Sequence, residues 1–311
     1  MSSNPNVFIH IAEGDGDVVI NGTPSGTDGL YIYAAQLNQG LVAQSYIETT
    51  TTAVYEGITD DVPRVDYSGG GCPSLLLESQ RTNLIASSEY FDSSVGWESV
   101  GSFTANATIS PEGLMNASSL NTDYLEVRPS VVSGTDYTYS IFVKANTDTT
   151  PQIIFTGTSF PNTQANYDLN TGSVTSYTTQ MAGIDDYGNG WYRIYATETA
   201  TATDSTSRLR FYCQTSYIYG AMFEAGSYVS SYIPTYGTST SRSADSCSLT
   251  NASNLIGQSE GTLFWDLETT NTDLYKRLSL NDGSTTNWIF VGIELATGVC
   301  RAYVKDSGTI Q

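Results

Sequence analysis

Several short segments of this chain alternate apolar and polar residues, the period-two pattern of a β-strand with one buried face. In Tyr137–Lys144, the odd-numbered residues from Tyr137 to Val143 share one face. Further strand signals, separated by Gly, Asn, Asp and Pro, lie at Trp191–Tyr195, Arg208–Cys213, Leu263–Leu267 and Asn287–Val291. No long stretch shows the 3.6-residue period of a helix. The pattern therefore predicts an all-β, antiparallel β-sandwich architecture.

One motif is written twice. Residues 31–49 and residues 217–235 lie 186 positions apart without a gap, and nine of their nineteen positions are identical. A repeat at a fixed offset predicts β modules in tandem, since each copy would close one module. We therefore predict a partial β module at residues 1–67, a complete module at 68–250 and the start of another, apparently incomplete, at 251–311.

The net charge of the chain argues against some classes of partner. The 311 residues include 12 Lys and Arg against 32 Asp and Glu, for a net charge of −20. Such a field repels nucleic acid and anionic membrane, so we expect no nucleic-acid partner. No segment approaches the roughly 20 apolar residues of a membrane span, and the N-terminus has no signal-peptide pattern, so no membrane insertion is expected.

Neither the cysteines nor the histidine form a catalytic or metal-binding pattern. Cys72, Cys213, Cys247 and Cys300 are far apart with no Cys-x-x-Cys pair, which favours buried reduced thiols, with a Cys213–Cys247 bridge as an open alternative. His10 is the only histidine, so no Ser/His/Asp or Cys/His set can be built. We expect no catalytic residue and no enzyme activity.

Two acidic clusters are candidate calcium ligands. Asp15 and Asp17 lie in an Asp-Gly-Asp run, and Asp60 is followed by Asp61. Carboxylate oxygens suit Ca²⁺, but the run lacks the downstream Glu of an EF-hand loop, so a plain acidic turn is the alternative. No cofactor is firmly predicted, and a structural Ca²⁺ is the one candidate.

Aromatic residues are the candidate ligand-binding residues. A ring offers an apolar face to the C–H face of a sugar, while neighbouring polar groups fix the hydroxyls. Trp97 lies in a polar segment rich in Ser and Gly, which makes it the better candidate for an exposed position, with the sandwich core as the alternative. Trp191, in an alternating strand, and Tyr124, a strand-face tyrosine, are further candidates for which a core position is the alternative.

Four separated motifs occur in the order found in a known module. Residues 68–93 (SGGGCPSLLLESQRTNLIASSEYFDS) resemble the entry to a module common in bacteriophage fibre and spike proteins. The expected Gly96-Trp97 follows this entry, and the three later motifs are Gly190–Arg193, the closing segment 217–235 and the linker Ser241–Asp245. The resemblance covers residues 68–250. Residues 259–268 are similar to the start of a concanavalin-like or laminin-G-type sandwich.

The resemblance implies a jelly-roll sandwich akin to carbohydrate-binding modules. It places the chain in the virion, as a surface fibre, spike or tail appendage that binds host surface glycans. The partners it implies are host glycans, other virion proteins through residues 1–67, and two further copies in a homotrimer. Within the entry motif, we expect the leucines of Leu75–Leu77 in the core, and Glu78 and Arg81 close enough to pair or to anchor a loop.

Two other functions stay open. The modules could be spacers in a capsid decoration or connector protein whose residues 1–67 dock onto the virion. The chain could also be the accessory carbohydrate-binding module of a secreted enzyme, which would carry a signal peptide and a catalytic domain. Binding to glycans, to a virion component or to neither distinguishes the three.

Overall fold

A computed structural model describes residues 64–66, 72–257, 260–269, 275–294 and 299–310. In this part of the chain the regular elements are antiparallel β-strands and two short 3₁₀ helices, Ser93–Val95 and Ala252–Asn254, and there is no α-helix. The predicted all-β, antiparallel fold class is confirmed. None of the described segments forms a helix long and apolar enough to cross a membrane.

The strands are numbered in chain order. The first nine are β1 (Val65–Asp66), β2 (Ser74–Leu75), β3 (Arg81–Asn83), β4 (Trp97–Thr108), β5 (Ala117–Val127), β6 (Asp136–Ala145), β7 (Gln152–Thr156), β8 (Thr163–Asp168) and β9 (Ser173–Tyr177). The others are β10 (Met181–Gly188), β11 (Trp191–Thr199), β12 (Arg208–Tyr212), β13 (Thr215–Ala225), β14 (Thr240–Arg242), β15 (Tyr275–Asn281), β16 (Trp288–Glu294), β17 (Val299–Asp306) and β18 (Thr309–Ile310). Strands predicted at 137–144, 191–195, 208–213 and 287–291 are confirmed, whereas Leu263–Leu267 forms no strand.

Ten strands form one sheet that folds into two layers. Its order is β10-β11-β6-β13-β5-β12-β7-β8-β9, and β4 pairs with the other edge of β5. β5 belongs to both layers, because its first half pairs with β13 and its second half with β12. We call β10-β11-β6-β13 the first layer and β12-β7-β8-β9 the second layer. The predicted sandwich therefore has a shared strand at one side, and β9 lies against β10 at the other.

The core lies between the two layers. Strand alternation turns Ile141 and Ile194 of the first layer and Phe155 and Phe211 of the second layer into one cluster, where each is at most 1% exposed. The predicted inward face of β6 is confirmed at its tyrosine and aliphatic positions. Burial of these aromatic and branched side chains is the main stabilising contribution to this fold.

The outer face of the first layer is covered by chain segments from both ends of the module. We call residues 83–91 and 230–236 the cap. Backbone hydrogen bonds join the cap to β13: the N–H of Leu84 donates to the carbonyl of Phe223 (2.7 Å), and the N–H of Ala221 donates to that of Ser88 (2.9 Å). The cap therefore turns the outer face of this layer into a second interior, which contains Phe142, Trp191 and Tyr219.

Asn83 fastens the cap at its first residue. Its amide donates to the carbonyls of Ala221 (3.1 Å) and Ile233 (2.8 Å). Its own side-chain oxygen accepts from the N–H groups of Ile85 and Phe223, each at 3.1 Å. The side chain is fully buried. One amide thus satisfies four backbone groups that have no water to bind.

A bulge in β13 makes this attachment possible. Pairing with β6 shifts register between Tyr219 and Met222, which frees the backbone of Ala221 to bond to the cap. Gly220, within the bulge, has φ +59°, and an added Cβ there would lie 3.0 Å from the Phe142 ring. Glycine meets both requirements, since it tolerates positive φ and has no side chain.

A carboxylate joins the two ends of the module. Glu78 accepts from the guanidinium groups of Arg64 (2.7 Å) and Arg242 (2.6 Å), and Arg64 also pairs with Asp245. Arg81 instead contacts the buried carboxylate of Glu224 at 3.2 Å. Glu78 and Arg81 therefore do not pair with each other. Glu78 also accepts from the backbone N–H of Ser231 at 2.8 Å, so it anchors a distant loop, which is the alternative given for it.

Two further expectations are wrong because the side chains that they place in the core are exposed. The entry leucines are not core residues, since Leu75 is 49% and Leu77 56% exposed. The four cysteines are free, and only Cys213 is buried, so the expectation of buried thiols is correct for one residue and wrong for three.

Residues 275–294 and 299–310 form a four-stranded sheet in the order β15-β16-β17-β18.

Candidate functional site

The outer face of the second layer carries a row of polar and aromatic side chains. In β12, Phe211 faces the core and Tyr212 faces outward, as alternation requires. Tyr212 lies opposite Tyr124 of β5 on one side and opposite Gln152 of β7 on the other. Gln152 in turn lies opposite Asn166 of β8. Strand register therefore aligns four side chains across four adjacent strands.

Tyr124, Tyr212 and Arg210 form a compact aromatic and cationic group. The two tyrosine rings lie 5.2 Å apart between centroids and are tilted by 37°. The Arg210 guanidinium lies 4.9 Å from the centroid of Tyr124 and donates to the Tyr212 hydroxyl at 3.3 Å. The group presents apolar ring surface and hydrogen-bond donors side by side, the combination that binds a polyhydroxylated ligand.

Glu126 lies opposite Arg210 in the register of β5 and β12 and holds its guanidinium in place. Its carboxylate is only 2% exposed and accepts from the Nε of Arg210 at 2.6 Å and the Nε of Arg128 at 2.8 Å. Burial alone would raise the pKa of Glu126, but the hydrogen bonds from Arg210 and Arg128 outweigh it and hold the pKa below its usual range. The hydrogen bond to Glu126 also raises the pKa of Arg210. The pair is therefore ionised and positioned before any ligand arrives.

Asp148 shapes one end of the row. Its carboxylate accepts from the backbone N–H of Thr150 (2.9 Å) and of Gln214 (2.8 Å), which ties the β6–β7 loop to the connection between β12 and β13. Burial opposes ionisation here as well, but these hydrogen bonds keep the pKa of Asp148 below its usual range. The loop thus has a fixed position beside Tyr212.

A cleft of about 540 Å³ lies between this loop and the tyrosine pair. Its lining residues are Tyr124, Asp148, Thr150, Gln152, Tyr212, Cys213 and Gln214. Burial raises the pKa of the Cys213 thiol to about 12, so the one sulfur in the cleft is a neutral thiol and a poor nucleophile. The arrangement offers polar and aromatic surface for binding.

Two of the three predicted ligand-binding residues, Trp97 and Trp191, are buried. Trp97 is 1% exposed, and its indole N–H donates to the carbonyl of Ser87 at 2.7 Å. Trp191 is 2% exposed and donates to the carbonyl of Ile109 at 3.0 Å. Both residues therefore occupy the core position given as the alternative, and the cap residues Ser87 and Phe91 lie against Trp97.

Tyr124 is the predicted residue that the fold places in the cleft, and its binding role stays a prediction. Sequence reasoning missed Tyr212, Arg210 and Gln152. The alternation in Arg208–Tyr212 was a usable signal, because it predicts Arg210 and Tyr212 on the face opposite Phe211. Nothing in it indicates which of the two faces is open.

The predicted calcium ligands Asp15, Asp17, Asp60 and Asp61 lie outside the described residues. Within the residues that the structure does describe, no group of three or more His, Cys, Asp or Glu side chains is arranged to hold a metal ion.

Comparison with known proteins yields remote likeness in structure. No family model matches the sequence, and no curated protein matches it. One similar solved structure holds the CBM22-1 and GH10 modules of the Clostridium thermocellum endo-1,4-β-D-xylanase 10B, complexed with xylohexaose: identity is 17%, the TM-score 0.30, and the match covers 49% of this chain and 29% of that one. Another is the enzymatically active domain of tailspike protein 4 of bacteriophage CBA120, at 10% identity and TM-score 0.27, covering 46% of this chain and 21% of that one.

The matched regions span less than a third of either solved chain. TM-scores this low carry no argument about function, so a function for this chain has to be derived from its own geometry.

Proposed function

We propose that the second layer binds a carbohydrate chain on its outer face. The observation that carries the proposal is the pairing of Tyr124 with Tyr212, with Arg210 over the Tyr124 ring and hydrogen-bonded to the Tyr212 hydroxyl. The rings supply apolar surface for the C–H face of a pyranose, and the guanidinium supplies hydrogen-bond donors for its hydroxyls. Catalysis is not part of the proposal, since binding alone uses the groups that the cleft presents.

The shape of the row favours internal units of a chain over a chain end. Tyr124, Tyr212, Gln152 and Asn166 follow one another across four strands, a distance of about 14 Å at the usual strand spacing. The side-chain amide of Gln152 offers both donors and an acceptor, and that of Asn166, whose nitrogen donates to Ser176, offers its oxygen, which suits hydroxyl groups. A row of this length accommodates more than one sugar unit.

We propose a virion appendage as the setting for this binding. The support is the ordered set of motifs that resemble bacteriophage fibre and spike modules, from the entry at residues 68–93 to the closing segment 217–235. A shallow face binds weakly, and several copies on one fibre would multiply its avidity. A homotrimer is the assembly that fits this role, and a monomer in light scattering of the full chain would contradict it.

The test is glycan binding by the full chain and by one matched pair of variants. After an array screen identifies a ligand, Tyr212→Ala should weaken its binding about tenfold or more, as expected for an aromatic residue central to a binding face. Tyr187→Ala is the control, because Tyr187 is a 49% exposed tyrosine of the first layer. It should change the dissociation constant less than about twofold.

Two results would overturn the proposal. One is an array without any glycan signal for a folded protein, which would favour a connector role. The other is an equal loss of binding in Tyr187→Ala and Tyr212→Ala, which would place the ligand elsewhere.

A further inference from the structure

The four-stranded sheet of β15–β18 has two chemically different faces. Register places one set of side chains on the same face, namely Leu278, Leu280, Ile289, Val291 and Val304. The opposite face carries Arg277, Trp288, Phe290, Tyr303 and Lys305. The first set has the aliphatic composition of a face that packs in a core. The second combines aromatic rings with cations, which is the composition of a ligand-binding face.

The aromatic residues of the second face form a continuous ladder. The rings of Trp288 and Phe290 are stacked, with centroids 4.4 Å apart and planes 12° from parallel. Tyr303 continues the row, 4.8 Å from Phe290. The Lys305 ammonium lies 5.9 Å from the Trp288 centroid. Trp288 therefore ends the ladder, with a cation beside its ring.

A small cleft opens at this end of the ladder. It measures about 270 Å³ and brings Arg277, Trp288 and Lys305 together with the hydroxyl and amide groups of β15 and the β15–β16 turn. This volume lies just under the roughly 300–1,000 Å³ of sites for drug-sized ligands, so it suits a single sugar unit.

The turn beside the cleft is held by hydrogen bonds. Asp282 accepts from the backbone N–H of Ser284 (2.9 Å) and the amide of Asn287 (2.8 Å), and hydrogen bonds from these residues lower the pKa of Asp282 to about 2. Lys305 donates to the carbonyl of Thr285 at 2.9 Å. The turn and the ammonium are therefore positioned before a ligand binds, which reduces the entropy that binding would cost.

The charge of this segment differs from that of the chain. Residues 275–310 contain four of the twelve Lys and Arg residues, in a chain with a net charge of −20. The overall field disfavours long polyanions such as nucleic acid. A single carboxylate on a small ligand meets the local cations without that penalty.

We propose that this cleft is a second binding site, which takes one pyranose unit bearing a carboxylate. The ring of the sugar would stack on Trp288, and Arg277 and Lys305 would bind the carboxylate. The residues of this site are distinct from those of the second layer, so the inference does not depend on the proposed function.

The experiment uses the full chain labelled with 5-fluorotryptophan, with the Trp288 resonance assigned from Trp288→Phe. D-glucuronate, D-galacturonate and N-acetylneuraminate are titrated, with glucose and galactose as uncharged counterparts. At least one acid should shift the Trp288 resonance saturably, and glucose and galactose should not. Arg277→Gln and Lys305→Gln should each weaken that binding about tenfold, the effect of losing one charge-assisted hydrogen bond.

Lys276→Gln is the matched control. It removes the same charge from the neighbouring position of β15, on the aliphatic face. It should change the dissociation constant less than about twofold, since exposed charges at a distance contribute little. Tyr212→Ala should leave the titration unchanged, which separates this site from that of the second layer.

Three outcomes would overturn the inference. The first is no shift with any of the three acids. The second is an equal loss of binding in Lys276→Gln and Arg277→Gln, which would indicate a general field effect. The third is loss of the shift in Tyr212→Ala, which would assign the ligand to the second layer.

Discussion

The outer faces of the two layers belong to one sheet and are both rich in aromatic residues, yet one is closed and the other open. Over the first layer, the cap buries Phe142, Trp191 and Tyr219. Over the second layer, Tyr124 and Tyr212 line a cleft. The difference shows that aromatic content alone does not predict a binding face. What decides is whether another segment of the chain covers the face.

The carboxylates of the two faces have pKa values that are shifted in opposite directions. Under the cap, Glu224 is fully buried, and burial raises its pKa despite hydrogen bonds from Ser230. On the second layer, Glu126 has its pKa lowered by two arginines. The closed face therefore raises the pKa of its carboxylate as an interior does, whereas on the open face Glu126 stays ionised because two arginines pair with it.

The largest loss of stability is expected when an aromatic residue of the covered face is removed. Trp191→Ala should lower the free energy of unfolding by about 3–5 kcal/mol, because an indole buried in the second interior under the cap leaves a cavity. Tyr212→Ala should cost less than about 1 kcal/mol, since its side chain is half-exposed. Urea unfolding of both variants measures the contrast, and equal losses of stability would contradict it.

The next largest loss of stability is expected when the attachment of the cap to β13 is weakened. Asn83→Ala should destabilise the protein by about 2–3 kcal/mol, because the substitution leaves buried backbone groups without partners. Thr82→Ala is the control, since the Thr82 hydroxyl bonds to Ser241 in an exposed position. The measurement is again urea unfolding. A loss in Thr82→Ala as large as that in Asn83→Ala would show that the cap is not held by the Asn83 amide.

The fold was largely predictable from sequence because its strands are local patterns. Alternation at Tyr137–Lys144 or Arg208–Tyr212 records which side chains point the same way, and the strands form where it occurs. The cap was not predictable by this means. Asn83 and Ala221 meet across 138 residues, and no local period contains that contact. The burial of Trp191 follows from a similarly distant contact, since its indole N–H donates to the carbonyl of Ile109, 82 residues away.

The candidate site was only partly predictable for a related reason. Tyr124 and Tyr212 lie on strands that are far apart in the chain and become neighbours through sheet register. A sequence pattern predicts that each points away from its own inward neighbour, but not that the two rings meet. Glu78 gives the converse case. Proximity in sequence suggested Arg81 as its partner, whereas the folded chain supplies Arg64 and Arg242.

The smallest expected effect is a difference in how a carboxylate of each face makes the stability of the protein depend on pH. Glu89 is 2% exposed under the hydroxyls of Tyr219, Tyr232 and Tyr236. Burial, and then the charge of Glu112, raises its pKa above the usual value despite those hydroxyls. A raised carboxyl pKa contributes stability at low pH that is lost as pH rises through the folded value. Glu89→Gln should therefore match the parent chain below the ordinary glutamate pKa. Above the raised value it should be more stable, by less than about 1 kcal/mol.

Glu126→Gln on the open face should show the opposite sign. Its lowered pKa contributes stability at neutral pH that is lost as pH falls through the folded value. This variant should therefore be less stable than the parent chain at neutral pH and approach it in acid. Urea unfolding of both variants across the acidic and neutral range measures the two trends. If Glu89→Gln lost stability as pH rises, Glu89 would be an ionised partner of its tyrosines, and the closed face would not behave as an interior.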